Sequence, residues 1–156
     1  MNQEPTDTPV SRPVQDAFWL ARLESEGVNA LITTTPALPP AFPQCLQQLN
    51  DGLYFEAHES LESIWLEAPY PMKLFYYALI KTAVGLLQIE RHNANAATTQ
   101  LTAALHHLAP FTPTFMAVQI DSPHLQLKDR VDLLQDGEDV SWEIMEALPK
   151  VSFQML

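Results

Sequence analysis

The chain has 156 residues, 47% of them hydrophobic, which is enough to bury one core without disulfide or metal staples. Its 8 Lys and Arg face 19 Asp and Glu, for a formal net charge of −11. That balance argues against wrapping a nucleic-acid backbone or docking on anionic lipid, both of which need clustered cations. A single cysteine, Cys45, excludes an intramolecular disulfide and fits a reducing, cytoplasmic setting.

The first ten residues are polar and acidic and carry no secretory-leader pattern. Residues 1–12 are expected to be a disordered tail, and 13–156 a single helical domain. Thirteen prolines punctuate the chain, and two long stretches, 44–68 and 72–109, lack them. Proline is excluded from helix interiors, so these stretches are the places for long helices.

In chain order, Ser11 and Pro13 start a helix that runs to about residue 26 and stops at Gly27. The β-branched run 28–34 reads as extended, and the four prolines of 36–43 as a loop packed on the body of the protein. A short helix over 43–51 places Cys45, Leu46 and Leu49 inward, and Gly52 interrupts it. Helices over 53–67 and 71–91 follow, joined by the turn Pro69-Tyr70-Pro71. The second is apolar on nearly every face. Its content of Lys73, Lys81 and Gln88 makes a bundle core a better reading than a membrane span.

Gly85 in mid-helix costs about 1 kcal/mol against Ala, so a close helix approach is expected there. Asn93 caps a helix over 94–108. Beyond Pro113 a helix runs from Ser122-Pro123 to about residue 136, ended by Gly137, and Asp139 caps a last helix over 140–148. The segment 151–155 is extended and pairs with 28–34. The fold class is all-α: a compact bundle of about five helices around a central antiparallel helix hairpin.

Chemistry concentrates in the string His58-Glu59-Ser60-Leu61-Glu62. Glu56, Glu59 and Glu62 are three apart, and His58 and Glu62 four apart, so they neighbour one another on a helix surface. A stripe through Phe55, His58, Leu61, Glu62 and Trp65 is expected to face the core. That burial requires partners for His58 and Glu62. Lys81, the cation in the middle of the apolar helix, is expected to pair with Glu59 or Glu56, with Gln88 and Arg91 further along.

The string is similar to the His-Glu-x-x-His of zinc peptidases, and on that reading His58 and Glu62 would be two metal ligands and Glu59 the general base. The second His is missing, and so is the Glu-x-x-His pair of di-iron bundles. A polar network closed by Lys81 therefore competes with a metal site, and no cofactor is expected.

Other candidates are weaker. Cys45 on an apolar stripe is core rather than nucleophile. His106 and His107 are adjacent and diverge by about 100° on a helix, so they do not chelate one metal. Asp121-Ser122-Pro123-His124 reads as a turn and cap. The acidic run 136–139 lacks the spacing of a calcium loop.

The stretch Asn50-Asp51-Gly52-Leu53-Tyr54-Phe55-Glu56-Ala57-His58-Glu59-Ser60-Leu61-Glu62-Ser63-Ile64-Trp65 resembles the signature Asn-x-Gly-x-Tyr-x-Glu-x-His-Glu-x-Leu-Glu-x-x-Trp of the prokaryotic domain of unknown function 309 family. The resemblance spans about 43–109. It implies a compact helical bundle, no established activity, and a shared polar set of Glu56, His58, Glu59, Glu62, Trp65, Arg91 and Asn93. Lys81 stands where the family usually has Gln, and Gln88 where a His is frequent. His92 and Ala96 replace two glycines.

Two functions remain open at this level. One is a binding or interaction module, possible as a homo-oligomer, built on a buried network of Glu56, His58, Glu59, Glu62, Trp65, Lys81, Gln88, Arg91 and Asn93. The other is a metal-dependent, hydrolase-like enzyme using the same helix.

Overall fold

The proline-free stretches fold as the expected long helices. A computed structural model describes residues 11–34, 36–135 and 139–156. Among the described residues there are eight α-helices: α1 (Arg12–Glu26), α2 (Val28–Leu31), α3 (Phe42–Asn50), α4 (Tyr54–Glu67), α5 (Met72–Glu90), α6 (Ala94–Leu108), α7 (Asp121–Leu134) and α8 (Trp142–Ala147). Five of them, α1, α4, α5, α6 and α7, have 14 or more residues. A two-stranded hairpin, β1 (Thr114–Phe115) and β2 (Val118–Gln119), separates α6 from α7.

The centre is α5. Twelve of its 19 residues are buried, and it packs between α4 and α6. By length and composition α5 is apolar enough to cross a membrane, and 67% of that stretch is buried within the protein. The expected close approach at Gly85 is present: a Cβ built there meets Leu101 Cδ2 at 2.3 Å and Cγ at 2.6 Å. The small side chains of α6, with Ala97 and Ala104 fully buried, let the two helices approach this closely.

Local signals set the boundaries. Gly52 sits at φ 79° and closes α3, with Leu53 N–H donating to Gln48 O at 2.9 Å. The same motif closes α5 with a non-glycine: His92 has φ 54°, and Asn93 N–H donates to Gln88 O at 2.9 Å. Asn93 caps α6 as expected, accepting from Ala96 N–H at 3.1 Å. Lys73 Nζ donates to the Trp65 carbonyl at 2.7 Å and the Leu66 carbonyl at 3.3 Å, placing a cation at the negative end of α4.

Several expectations are corrected. Arg12 belongs to the first turn of α1 rather than to a tail, and ion-pairs with Asp16 at 2.6 Å. The first four residues of 28–34 are not extended: after the positive-φ Gly27 the chain makes one helical turn over Val28–Leu31, closed by Ile32 N–H to Val28 O at 2.8 Å. The C-terminal segment pairs elsewhere, extending the hairpin through a Val118–Met155 bridge and Gln119 N–H to Gln154 O at 2.8 Å. Helix α8 starts at Trp142 under a Ser141 cap, not at Asp139, because the Ser141 hydroxyl accepts from Ile144 N–H at 3.3 Å. The tail reading for 1–10, the Gly137 stop and the residues 136–138 of the acidic run lie outside the described residues.

Candidate functional site

Which way α4 turns decides the fate of the Glu/His string. Its buried members are Tyr54, Ala57 and Leu61, with Ile64, Trp65 and Ala68 partly buried against the core. That spacing of three and four is one helical face. At about 100° per residue, Phe55, Glu59, Glu62 and Leu66 fall on the opposite side. Glu56, Glu59 and Glu62 are all exposed, as are Phe55 at 49% and Leu66 at 67%.

The expected core-facing stripe is therefore corrected. It included Leu61 rightly, but Phe55 and Glu62 face solvent. His58 lies on the flank, its side chain 26% exposed, and its Nε2 meets Glu62 Oε1 at 3.0 Å while the Glu62 side chain stays 51% exposed. The physical reason is cost. Placing Tyr54, Ala57 and Leu61 inward buries apolar surface without desolvating a carboxylate, whereas the expected stripe required burying Glu62.

Lys81 does not pair with Glu59 or Glu56. Its ammonium lies 5.2 Å from the centre of the Tyr77 ring, and no carboxylate among the described residues lies within ion-pair distance of it. With Arg12, Glu62, Trp65, Tyr77 and Ile80 it borders a shallow pocket of about 180 Å³. Trp65 has cations on its ring, Lys73 Nζ at 4.5 Å and Arg12 Cζ at 5.4 Å.

The remaining predicted residues lie at the other end of the hairpin. Gln88 and Arg91 belong to the last turn and cap of α5, and Asn93 is spent on capping α6. The nine residues thus divide among three places: the outer face of α4, the groove at Trp65 and Lys81, and the α5–α6 junction.

For metal chemistry the donor set is short. His58 and Glu62 come together, but no group of three or more His, Cys, Asp or Glu able to hold a metal occurs among the described residues. Zinc sites draw three or four ligands from the protein. Cys45 is fully buried in the core, and burial pushes its thiol pKa up to about 11, the reverse of what activates a nucleophile. His106 is exposed and meets Glu24 at 3.3 Å. His107 turns inward, Nδ1 against the Ala103 carbonyl at 3.0 Å and its ring 4.9 Å from Tyr77.

One charged residue escaped the sequence reading. Arg130 on α7 is 7% exposed, and its Nη1 and Nη2 donate to the carbonyls of Gln126 at 3.0 Å and Pro149 at 2.6 Å. The signal available was its position three residues after Leu127 and four before Leu134, on the buried stripe of α7.

Neither the search of curated proteins nor that of solved structures gives a match. Residues 42–100, which run from the start of α3 into the first half of α6, match the family model described as a domain of unknown function (DUF309), so the resemblance carried by the α4 motif holds over that segment of the chain.

Proposed function

We propose that this protein is a non-enzymatic binding module, and that its working surface is the outer face of α4, which takes up a basic, apolar-flanked segment of a partner protein. The carrying observation is the pairing of Phe55 and Leu66, both large, apolar and exposed, with Glu59 and Glu62 on the same face. Phe55 and Leu66 are eleven residues apart, about 16 Å along the helix axis, at 1.5 Å per residue. That is the span of a three-turn helix or a short extended segment. Isolated exposed apolar residues need no explanation, but two bracketing a row of carboxylates have the make-up of an anchored, charge-steered contact. The net charge of −11 favours a cationic partner over an acidic one.

The hydrolase-like alternative is less well supported, because His58 and Glu62 lack a third ligand among the described residues.

Fluorescence anisotropy with a labelled Lys/Leu amphipathic peptide, and with its Glu/Leu counterpart, tests the proposal on the full chain. The expected result is saturable, salt-sensitive binding of the basic peptide alone. Phe55→Ser with Leu66→Ser should abolish it, and Glu59→Gln with Glu62→Gln should weaken it about tenfold, the equivalent of roughly 1.4 kcal/mol. Absence of binding, or binding indifferent to all four substitutions, rejects the face as the working surface.

A further inference from the structure

At the end of the hairpin away from the Pro69–Pro71 turn, the start of α4, the last turns of α5, α7, α8 and the C-terminal segment border a second pocket of about 480 Å³. That lies within the size range of small-molecule sites, roughly 300–1,000 Å³. One wall is apolar, formed by Leu86, Ile89, Met145 and Leu148, the first three buried. The polar residues that border it include Arg130, Tyr54 and Lys150.

Arg130 is the unusual member. The residue is more than nine-tenths buried, its hydrogen-bond partners are neutral carbonyls, and the Asp129 charge acts on it only as a lesser influence than burial. No carboxylate among the described residues pairs with it. Carbonyls satisfy its N–H groups but do not neutralise a desolvated cation, whose burial is costly without a counter-charge. Tyr54 is also buried, and burial, then the nearby Glu90 charge, raises its pKa, so its hydroxyl stays protonated and available as a donor.

From this arrangement we infer that the pocket binds a small molecule with a carboxylate head and an apolar body, the head on Arg130, Tyr54 and Lys150 and the body on Leu86, Ile89 and Met145. Arginine presents a planar fork that matches a carboxylate. Asp51, Glu90 and Glu146 also border the pocket, but all three are exposed. Glu146 is held by His92 at 2.7 Å and Asp51 by Gln47 at 2.9 Å. Water screens these rim charges, as it does that of the exposed Lys150, far more than it screens the buried Arg130. The buried cation therefore dominates the head-group end. Glu90 at the rim suits an ammonium, so a zwitterionic amino acid and a plain carboxylic acid share the same head-group chemistry here.

The test is calorimetric titration of the full chain with L-phenylalanine, phenylacetate and phenethylamine, which share an aromatic body. Saturable binding of one or both carboxylates is expected, with no binding of the amine. Tighter binding of phenylalanine identifies a zwitterion as the preferred form, and tighter binding of phenylacetate a plain acid. Arg130→Lys should weaken binding by about tenfold, and Lys150→Met, at the screened rim, by about threefold. Lys150 is an exposed residue, so its variant remains informative if Arg130→Lys fails to fold. Failure of both carboxylates to saturate, equal binding of the amine, or unchanged affinity in Lys150→Met overturns the inference. None of these outcomes bears on the α4 face, which shares no residue with the pocket.

Discussion

At the scale of single residues, the side chains that depart from simple expectation do so for a compensating contact. His92 holds a left-handed backbone conformation that costs a non-glycine roughly 1–2 kcal/mol. Its ring stacks on Trp142, with centroids 4.5 Å apart and planes 3° apart, and it pairs with Glu146 on α8. A glycine would relax the turn and lose both links to α8.

His107 gives a pH prediction. Burial, opposed by its bond to the Ala103 carbonyl and reinforced by the neighbouring His106, lowers its pKa from 6.5. The unfolded chain then takes up the proton first as pH falls. Stability is complete above about pH 6.5 and declines as pH drops from there toward the lowered folded value. Urea unfolding at pH 7.5 and pH 5 should show that loss, and His107→Gln should make it smaller.

At the scale of elements, Gly85 is the clearest test of packing. Alanine gains about 1 kcal/mol of helix propensity at such a site, but here its Cβ would collide with the buried Leu101 side chain and press on its backbone nitrogen at 3.3 Å. Overpacking typically costs about 1–3 kcal/mol. Gly85→Ala is therefore expected to lower stability by about 1 kcal/mol, measured by chemical denaturation, where a surface glycine would have gained.

This close approach was legible in the sequence, because a mid-helix glycine needs a reason and the Ala-rich α6 supplied a partner. The hairpin and the Asn93 cap were legible for similar local reasons. The β-hairpin was not: its turn residues, Met116 and Ala117, both have positive φ, where Asn-Gly would have announced it. The rotation of α4 was misread because two stripes compete on it. Tyr54, Ala57 and Leu61 include a small and a part-polar residue, so they look less like a core than Phe55, Leu61 and Trp65 do. Neighbours from α3 and α5 decide between them, and those contacts are not written in α4 itself.

At the scale of the whole molecule, the fold class follows from where proline is absent, while the placement of polar residues follows from tertiary packing. The nine residues expected to form one buried network instead serve three ends: an outward acidic face, a cation-lined groove at Trp65, and helix ends. Arg130, which no motif marked, carries the buried charge, because the C-terminal segment folds back over α7 and covers it.

The α4 carboxylates lie on an exposed surface rather than inside a buried network. Urea unfolding of the double variant Glu59→Gln/Glu62→Gln tests it most directly. An exposed surface predicts a change within about 0.5 kcal/mol, the range of ordinary surface substitutions. A loss of about 3–5 kcal/mol, the cost of breaking a buried charge pair, would contradict it.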